Sequence, residues 1–136
     1  MNRSPNPLVA LPVEGCVMFG SVQGAGAAIP VIPTTTLSVS SSIQPMTAAD
    51  NMVSGTAGDI TRSGVGVYTL KLKEALPVIL DIYPDVWGTD GKRAQVTDYV
   101  PNTRILSVKV YTAAGVAADL ASTDNLKLVI FGRLSV

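Results

Sequence analysis

In residues 68–73 the sequence reads Tyr68-Thr69-Leu70-Lys71-Leu72-Lys73, an unbroken alternation of apolar and polar side chains. Successive side chains of a β-strand point to opposite faces of its sheet, so Tyr68, Leu70 and Leu72 share one side. The opposite side carries a hydroxyl group and the amino groups of the lysines. This spacing predicts a strand with one buried face and one solvated face.

Similar alternation recurs downstream, with turn residues between the runs. We expect Pro84 to end or bend the run that begins at Val78, and Gly88-Thr89-Asp90-Gly91 to form a hairpin turn before a strand over 92–100. Residues 112–125 predict either a short helical turn or a long crossing loop. Further strands are predicted over 106–110 and 126–134, with core-facing positions at Leu106, Val108, Val110, Leu128 and Ile130.

These patterns predict an all-β fold: a single-domain β-sandwich or open barrel of about six to eight mostly antiparallel strands with an extended Pro-rich N-terminal region. A length of 136 residues fits one domain. Residues 1–55 hold six of the nine prolines and are expected to form an extended N-terminal arm with short strands over 15–22 and 36–40. Residues 56–136 are expected to form a compact β module.

Residues 24–35 combine three aliphatic side chains, Ile29, Val31 and Ile32, with two prolines. Proline lacks a backbone N–H donor, which disfavours a central strand, while the aliphatic side chains are too apolar to remain in water. We therefore expect these three residues to contact the surface of another subunit.

Trp87 is a further candidate contact residue, because it is the only tryptophan and follows an apolar run. Together with Tyr83 and Tyr99 it also offers an aromatic platform on which a sugar or a base could stack. Packing in the core or against a neighbouring subunit is the favoured interpretation of these rings.

Composition restricts the partners. Lys+Arg and Asp+Glu both number 10, so the formal net charge is zero and gives no long-range attraction for a nucleic-acid backbone. The single Cys16 cannot form an intrachain disulfide, which is typical of a reducing compartment. Prolines interrupt the N-terminal residues, and no run approaches the ~20 apolar residues of a membrane span, so we expect a soluble protein.

Residue types suited to catalysis are sparse. The chain has no histidine, which excludes Ser-His-Asp and Cys-His arrangements, and the lone Cys16 is interpreted as an apolar filler. No catalytic, cofactor-binding or metal-binding residue is predicted, and the chain is not expected to be an enzyme. The carboxylate pairs Asp81 with Asp85 and Asp90 with Asp98 are interpreted as solvated charges and a turn former. The glycine pairs at 24–26 and 64–66 lack the remaining residues of a phosphate-binding loop, and residues 59–66 are interpreted as a flexible entry into a strand.

The stretch Thr61-Arg62-Ser63-Gly64-Val65-Gly66-Val67-Tyr68-Thr69-Leu70-Lys71-Leu72 resembles a pattern of small tailed-bacteriophage virion proteins. The resemblance continues through Leu76-Pro77, the apolar runs over 78–82 and 106–110, and Gly115-Val116-Ala117-Ala118-Asp119-Leu120. It covers about residues 56–136 and is closest to the capsid decoration, or cement, type.

This resemblance implies a structural virion protein that stabilises a tailed-phage capsid by bridging major capsid protein subunits. It also implies a homo-oligomer, with a trimer favoured over a dimer, on the capsid exterior of a virion assembled in the host cytoplasm. Neither nucleic acid, membrane nor cofactor is expected. A tail or baseplate structural component and a carbohydrate-binding host-recognition module remain alternatives. The candidate subunit or capsid contacts are Ile29, Val31, Ile32 and Trp87.

Overall fold

Seven β-strands form two antiparallel sheets in the computed structural model, which describes residues 15–34 and 46–133. One sheet has three strands in the order β1-β7-β4, and the other has four in the order β2-β3-β6-β5. No helix occurs in the described residues. The predicted all-β fold is confirmed, and the sheets pack as a β-sandwich. The strands are β1 (Gly15–Gln23), β2 (Ile60–Gly64), β3 (Val67–Lys71), β4 (Val78–Trp87), β5 (Arg93–Val100), β6 (Ile105–Tyr111) and β7 (Asn125–Arg133).

The core lies between the two sheets and is built by the alternation seen in the sequence. Tyr68 and Leu70 of β3 stand opposite Val108 and Leu106 of β6, and all four side chains are buried. Each such side chain contributes on the order of 1.5–3 kcal/mol by leaving water. The predicted core positions are confirmed: Tyr68, Leu70, Leu72, Leu106, Val108, Val110, Leu128 and Ile130 are all buried.

Strand β4 departs from the expected pattern in two ways. It continues through Pro84, which pairs with Leu128 of β7, and it ends at Trp87. Because β4 is an edge strand bonded only to β7 in the described sheet, a residue without an N–H is tolerated there. A bulge between Ile79 and Asp81 also shifts the alternation, so that Leu80 points to solvent while Ile79 packs on the core.

The predicted hairpin between 78–87 and 92–100 is wrong. Strand β4 belongs to the three-stranded sheet, whereas β5 pairs with β6 in the other sheet. The turn residues 88–91 therefore carry the chain from one sheet to the other. Residues 112–124 form the long crossing loop that the sequence left as one of two possibilities, since they contain turns and one isolated bridge but no helix.

The N-terminal residues that the structure describes are part of the sandwich, which corrects their assignment to a separate arm. Strand β1 pairs with β7 along its whole length, and Val22 and Val53 are completely buried in the common core. Asn51 closes the outer edge of β1 by exchanging hydrogen bonds with the backbone of Ser21 (3.1 and 2.7 Å). A boundary at residue 55 would cut through this core. The strand predicted over 36–40 lies outside the described residues.

Residues 24–34 return onto their own subunit. Gly24 and Gly26 donate backbone hydrogen bonds to the carbonyls of Asp124 and Leu120 (3.0 and 2.9 Å). A side chain at position 24 would collide with the carbonyl of Ala121, so glycine permits this close approach of two backbones. The segment predicted to reach a neighbour is thus anchored at its beginning to the loop before β7.

Candidate functional site

Residues of the 61–72 stretch and of the crossing loop meet in one hydrogen-bonded cluster. Arg62 of β2 donates to both oxygens of Asp119, from Nε to Oδ1 (2.9 Å) and from a terminal nitrogen to Oδ2 (2.8 Å). The backbone N–H of Gly66 and the hydroxyl of Tyr68 also donate to Oδ1 (2.9 and 3.2 Å). Tyr68 in turn accepts from the N–H of Leu120 (2.8 Å). The cluster joins the β2–β3 turn to the crossing loop.

This cluster suits a structural role. The Arg62 guanidinium is the main cause that lowers the pKa of Asp119 to about 2, with the Gly66 and Tyr68 bonds adding to it. Burial raises the pKa of the Tyr68 hydroxyl, so this group stays a neutral donor. Gly66 has a φ of 68°, and an added Cβ would lie 2.5 Å from the carbonyl oxygen of Val110. The carboxylate is therefore saturated by donors that hold a turn in place.

A second cluster of charged side chains stabilises the 88–92 segment that connects the two sheets. Lys92 lies 2.9 Å from the carboxylate of Asp124 and 3.1 Å from that of Asp90. The hydrogen bond to Asp124 is the main cause that raises the pKa of Lys92. Asp124 also accepts from the N–H of Ala121 (2.8 Å). These bonds tie the 88–92 link to the crossing loop and leave Lys92 charged.

The carboxylates considered for catalysis lie apart from any enclosed pocket. Asp81 accepts hydrogen bonds from the hydroxyl of Tyr83 (2.7 Å) and the N–H of Ile82 (2.9 Å) on the exposed side of β4. Asp85 faces solvent four residues further along β4, and Asp98 is exposed on β5. Within residues 15–34 and 46–133, no group of three or more His, Cys, Asp or Glu side chains could hold a metal ion.

The most unusual surface is the solvent side of the three-stranded sheet, which we call the outer face. It comprises seven apolar or aromatic residues, with neighbours on adjacent strands in register. The exposed fractions reach 50% for Val17, 50% for Phe19, 57% for Leu80, 56% for Tyr83 and 38% for Trp87. Contiguous apolar surface of this kind is typical of an interaction site. The outer face consists of Val17, Phe19, Leu80, Tyr83, Trp87, Val129 and Phe131.

Two rows of side chains organise the outer face. Phe19, Val129 and Tyr83 stand side by side across β1, β7 and β4. Val17 and Phe131 form the neighbouring row, and Phe131 meets the Tyr83 ring edge to face with centroids 5.9 Å apart. The bulge brings Leu80 to a groove of about 340 Å³ beside Val17 and Phe131. The groove is shallow and apolar, which suits a protein side chain.

Charged groups on the same side of the sheet balance one another. Asp81 and Asp85 come from β4, while Lys127 and Arg133 come from β7. Lys127 lies in register with Asp85, and its Nζ is 5.9 Å from the centre of the Trp87 ring. Partial burial lowers the pKa of Lys127. The outer face thus has an apolar middle and a mixed charged rim.

The solvent side of the four-stranded sheet has a different chemistry. Its outward positions carry mainly hydroxyl, amide and charged groups, as expected of a sheet surface in contact with water. The two solvent-facing sheet surfaces therefore differ in polarity. The apolar or aromatic residues in outward positions of this sheet are Val67, Val100, Ile105 and Tyr111. The outward polar residues include Thr61, Thr69, Lys71, Arg93, Gln95, Thr97, Asp98, Ser107 and Lys109.

Of the candidate contact residues, only Trp87 lies on the outer face. Ile29 and Val31 are exposed on the 24–34 segment, and Ile32 turns inward to pack against the core. Sequence reasoning missed Val17 and Phe19. The available signal was the continuous apolar run Cys16-Val17-Met18-Phe19, because a strand with one wet side should alternate.

The proposed aromatic platform of Tyr83, Trp87 and Tyr99 is not formed. Tyr99 turns toward the core, and its hydroxyl donates to the carbonyl of Leu76 (2.9 Å) and accepts from the N–H of the same residue (3.1 Å). Tyr83 and Trp87 remain on the outer face, with three residues of β4 between them. The pair therefore belongs to the apolar surface and not to a three-ring stack.

A scan against protein-family models, a search of curated proteins and a search of solved structures each found no match for the chain. In the part of the chain that the structure describes, no helix is both long enough and apolar enough to cross a membrane.

Proposed function

We propose that this chain is a non-enzymatic structural protein that decorates and stabilises a tailed-phage capsid by bridging major capsid protein subunits. The observation that carries the proposal is the outer face, an exposed, largely apolar surface on a β-sandwich of the kind that assembling proteins bury against another subunit. The resemblance of residues 56–136 to decoration proteins supplies the biological setting. A homo-oligomer on the capsid exterior is part of the same proposal.

The energetics favour a broad contact over the capture of a small molecule. Covering a half-exposed aromatic residue such as Phe19 or Tyr83 removes roughly 100 Å² from water and contributes about 2–3 kcal/mol. Association costs an estimated 4–15 kcal/mol in lost translational and rotational freedom. Several outer-face residues must therefore be covered together. A rigid sheet meets this need, because its side chains are already ordered before contact.

Immunogold labelling tests the proposed location. An antiserum raised against the full chain is applied to purified phage particles, with pre-immune serum as the control. We expect label on the heads. Label restricted to tails or baseplates would replace the proposal by the tail-component alternative, and particles without label would overturn a virion function altogether.

A further inference from the structure

We propose that the outer face binds the outer face of a second copy of this chain, in a two-fold contact centred on Val129. The proposal deepens the assembly function and rests on it. It assigns the outer face to the contact between copies, so that the dimer would contact the capsid through its other surfaces.

The first argument is the row across the three strands. Phe19 and Tyr83 are each paired in register with Val129, so all three stand at the same height on β1, β4 and β7. Rotation by 180° about an axis along the central strand superposes β1 of one copy on β4 of the other. Phe19 then meets Tyr83 of the other copy twice, on either side of Val129. Aromatic pairs of this kind add to the gain from burial.

The second argument is charge. A two-fold contact requires a surface that is complementary to itself. The outer face meets this requirement because two acidic residues, Asp81 and Asp85, share it with two basic residues, Lys127 and Arg133. With the axis along β7, Lys127 faces Lys127 of the other copy, and the Asp85 carboxylates of the two copies lie one strand spacing to either side of this pair and balance its charge. A partner with a strong charge of one sign would gain from only half of these groups.

The third argument is area. Strands of 9, 10 and 9 residues form the sheet. Ser21 and Asn125 are buried at one end of this face, so its exposed part runs from Lys127 to Arg133 on β7 and over the neighbouring residues of β1 and β4. The rise and spacing of the strands give this part a flat footprint of roughly 24 by 14 Å. With side-chain relief, each copy offers on the order of 400–600 Å² of accessible surface, or about 800–1,200 Å² for the pair. The upper value reaches the range of specific protein interfaces. Two sheets packed in this way bury their facing side chains in a layer about 10 Å thick.

The central strand gives a fourth argument. Leu128, Val129, Ile130 and Phe131 of β7 form an unbroken apolar run, with alternate residues directed to the core and to the outer face. Strands that are apolar on both sides are typical of sheets covered on both faces. Among the residues that the structure describes, Val129 and Phe131 keep part of their surface exposed on the outer side of β7, and a second copy would cover it.

Sedimentation equilibrium of the full chain tests the contact. We expect a dimer, and we expect Phe19→Lys or Tyr83→Lys to raise its dissociation constant at least tenfold. Val116→Lys is the matched control, because Val116 is equally apolar and exposed but lies in the crossing loop. It should leave the dimer unchanged. Far-UV circular dichroism of each variant verifies the fold, which these exposed positions should not disturb.

Cross-linking tests the symmetry. With Val129→Cys, a short bis-maleimide should link two copies efficiently, while the wild type, with Cys16 alone, and Val116→Cys should not. A monomer at 100 μM, a trimer, or a dimer unaffected by Phe19→Lys and Tyr83→Lys would each overturn the two-fold contact. A monomer on phage heads would overturn this inference and leave the decoration function standing. A dimer that is absent from all phage particles would overturn the decoration function and leave this inference standing.

Discussion

Replacing Asp119 by Asn should lower stability at neutral pH by an amount that follows from its contacts. The carboxylate receives four hydrogen bonds, two of them from Arg62. Its pKa falls from 3.8 to about 2. A difference of that size corresponds to about 2.4 kcal/mol of free energy in favour of the charged form. Because about a fifth of each partner's side chain contacts solvent, screening reduces the expected contribution to about 1–2 kcal/mol.

The pH dependence has a definite sign. A carboxyl whose folded-state pKa is depressed stabilises the fold fully above its unfolded-state pKa, and that stabilisation disappears as pH falls through the folded-state pKa. The window for Asp119 thus runs from about pH 5 down to about pH 2. Asp119→Asn should be less stable than wild type at pH 7, and the gap should narrow across this window.

Urea denaturation followed by circular dichroism measures the free energy of unfolding at each pH. Asp98→Asn is the matched control, since it makes the same chemical change on an exposed part of β5. It should change stability by less than about 0.5 kcal/mol. If Asp119→Asn matched this control at pH 7, or if its deficit stayed constant down to pH 2, the assigned role of the cluster would be wrong.

Further substitutions test how the sandwich is held together. Deleting residues 1–35 removes β1 and uncovers one edge of β7, so we expect an unfolded chain by circular dichroism; a folded remainder would restore the separate-arm hypothesis. In urea denaturation, Gly66→Ala should lower the free energy of unfolding by more than about 2 kcal/mol, because its positive φ and the collision of the added Cβ with the Val110 carbonyl both act against alanine. Gly91→Ala, which has a similar φ but open space around it, should lower it by about 1 kcal/mol. Lys92→Ala should lower the free energy of unfolding by about 3 kcal/mol, because it leaves the buried Asp124 carboxylate without its cation. Lys109→Ala, on the solvent side of β6, is the control and should leave stability nearly unchanged. Equal melting temperatures for the two lysine variants would contradict this assignment.

The half-buried strands could be predicted from the sequence because their physics is local. In β3 and β6, one side faces the core and the other faces water, so the alternation of apolar and polar residues matches the burial pattern. The path between sheets could not be predicted in this way. Gly88-Thr89-Asp90-Gly91 has the composition of a hairpin turn, yet β4 finds its partner in β7, and that choice depends on distant core residues.

The outer face could not be predicted from the sequence, for a related reason. In the stretches 16–19 of β1 and 128–131 of β7 both sides are apolar, which in a single sequence cannot be distinguished from a strand buried within its own subunit. The bulge that exposes Leu80 adds a register change with no local signature. Asp119 stood within the motif, but its contact with Arg62 joins residues 57 positions apart and required the fold.

Quenching of Trp87 fluorescence by acrylamide, measured over a protein dilution series, addresses the role of the outer face without any substitution. Trp87 is the only tryptophan and lies on this surface with 38% of its area exposed, so its emission reports on the surface itself. As concentration rises from about 0.1 to 100 μM and copies associate, the quenching constant should fall and the emission should shift to shorter wavelength. Quenching that stays constant while the sedimenting mass increases would place the contact elsewhere and contradict the account.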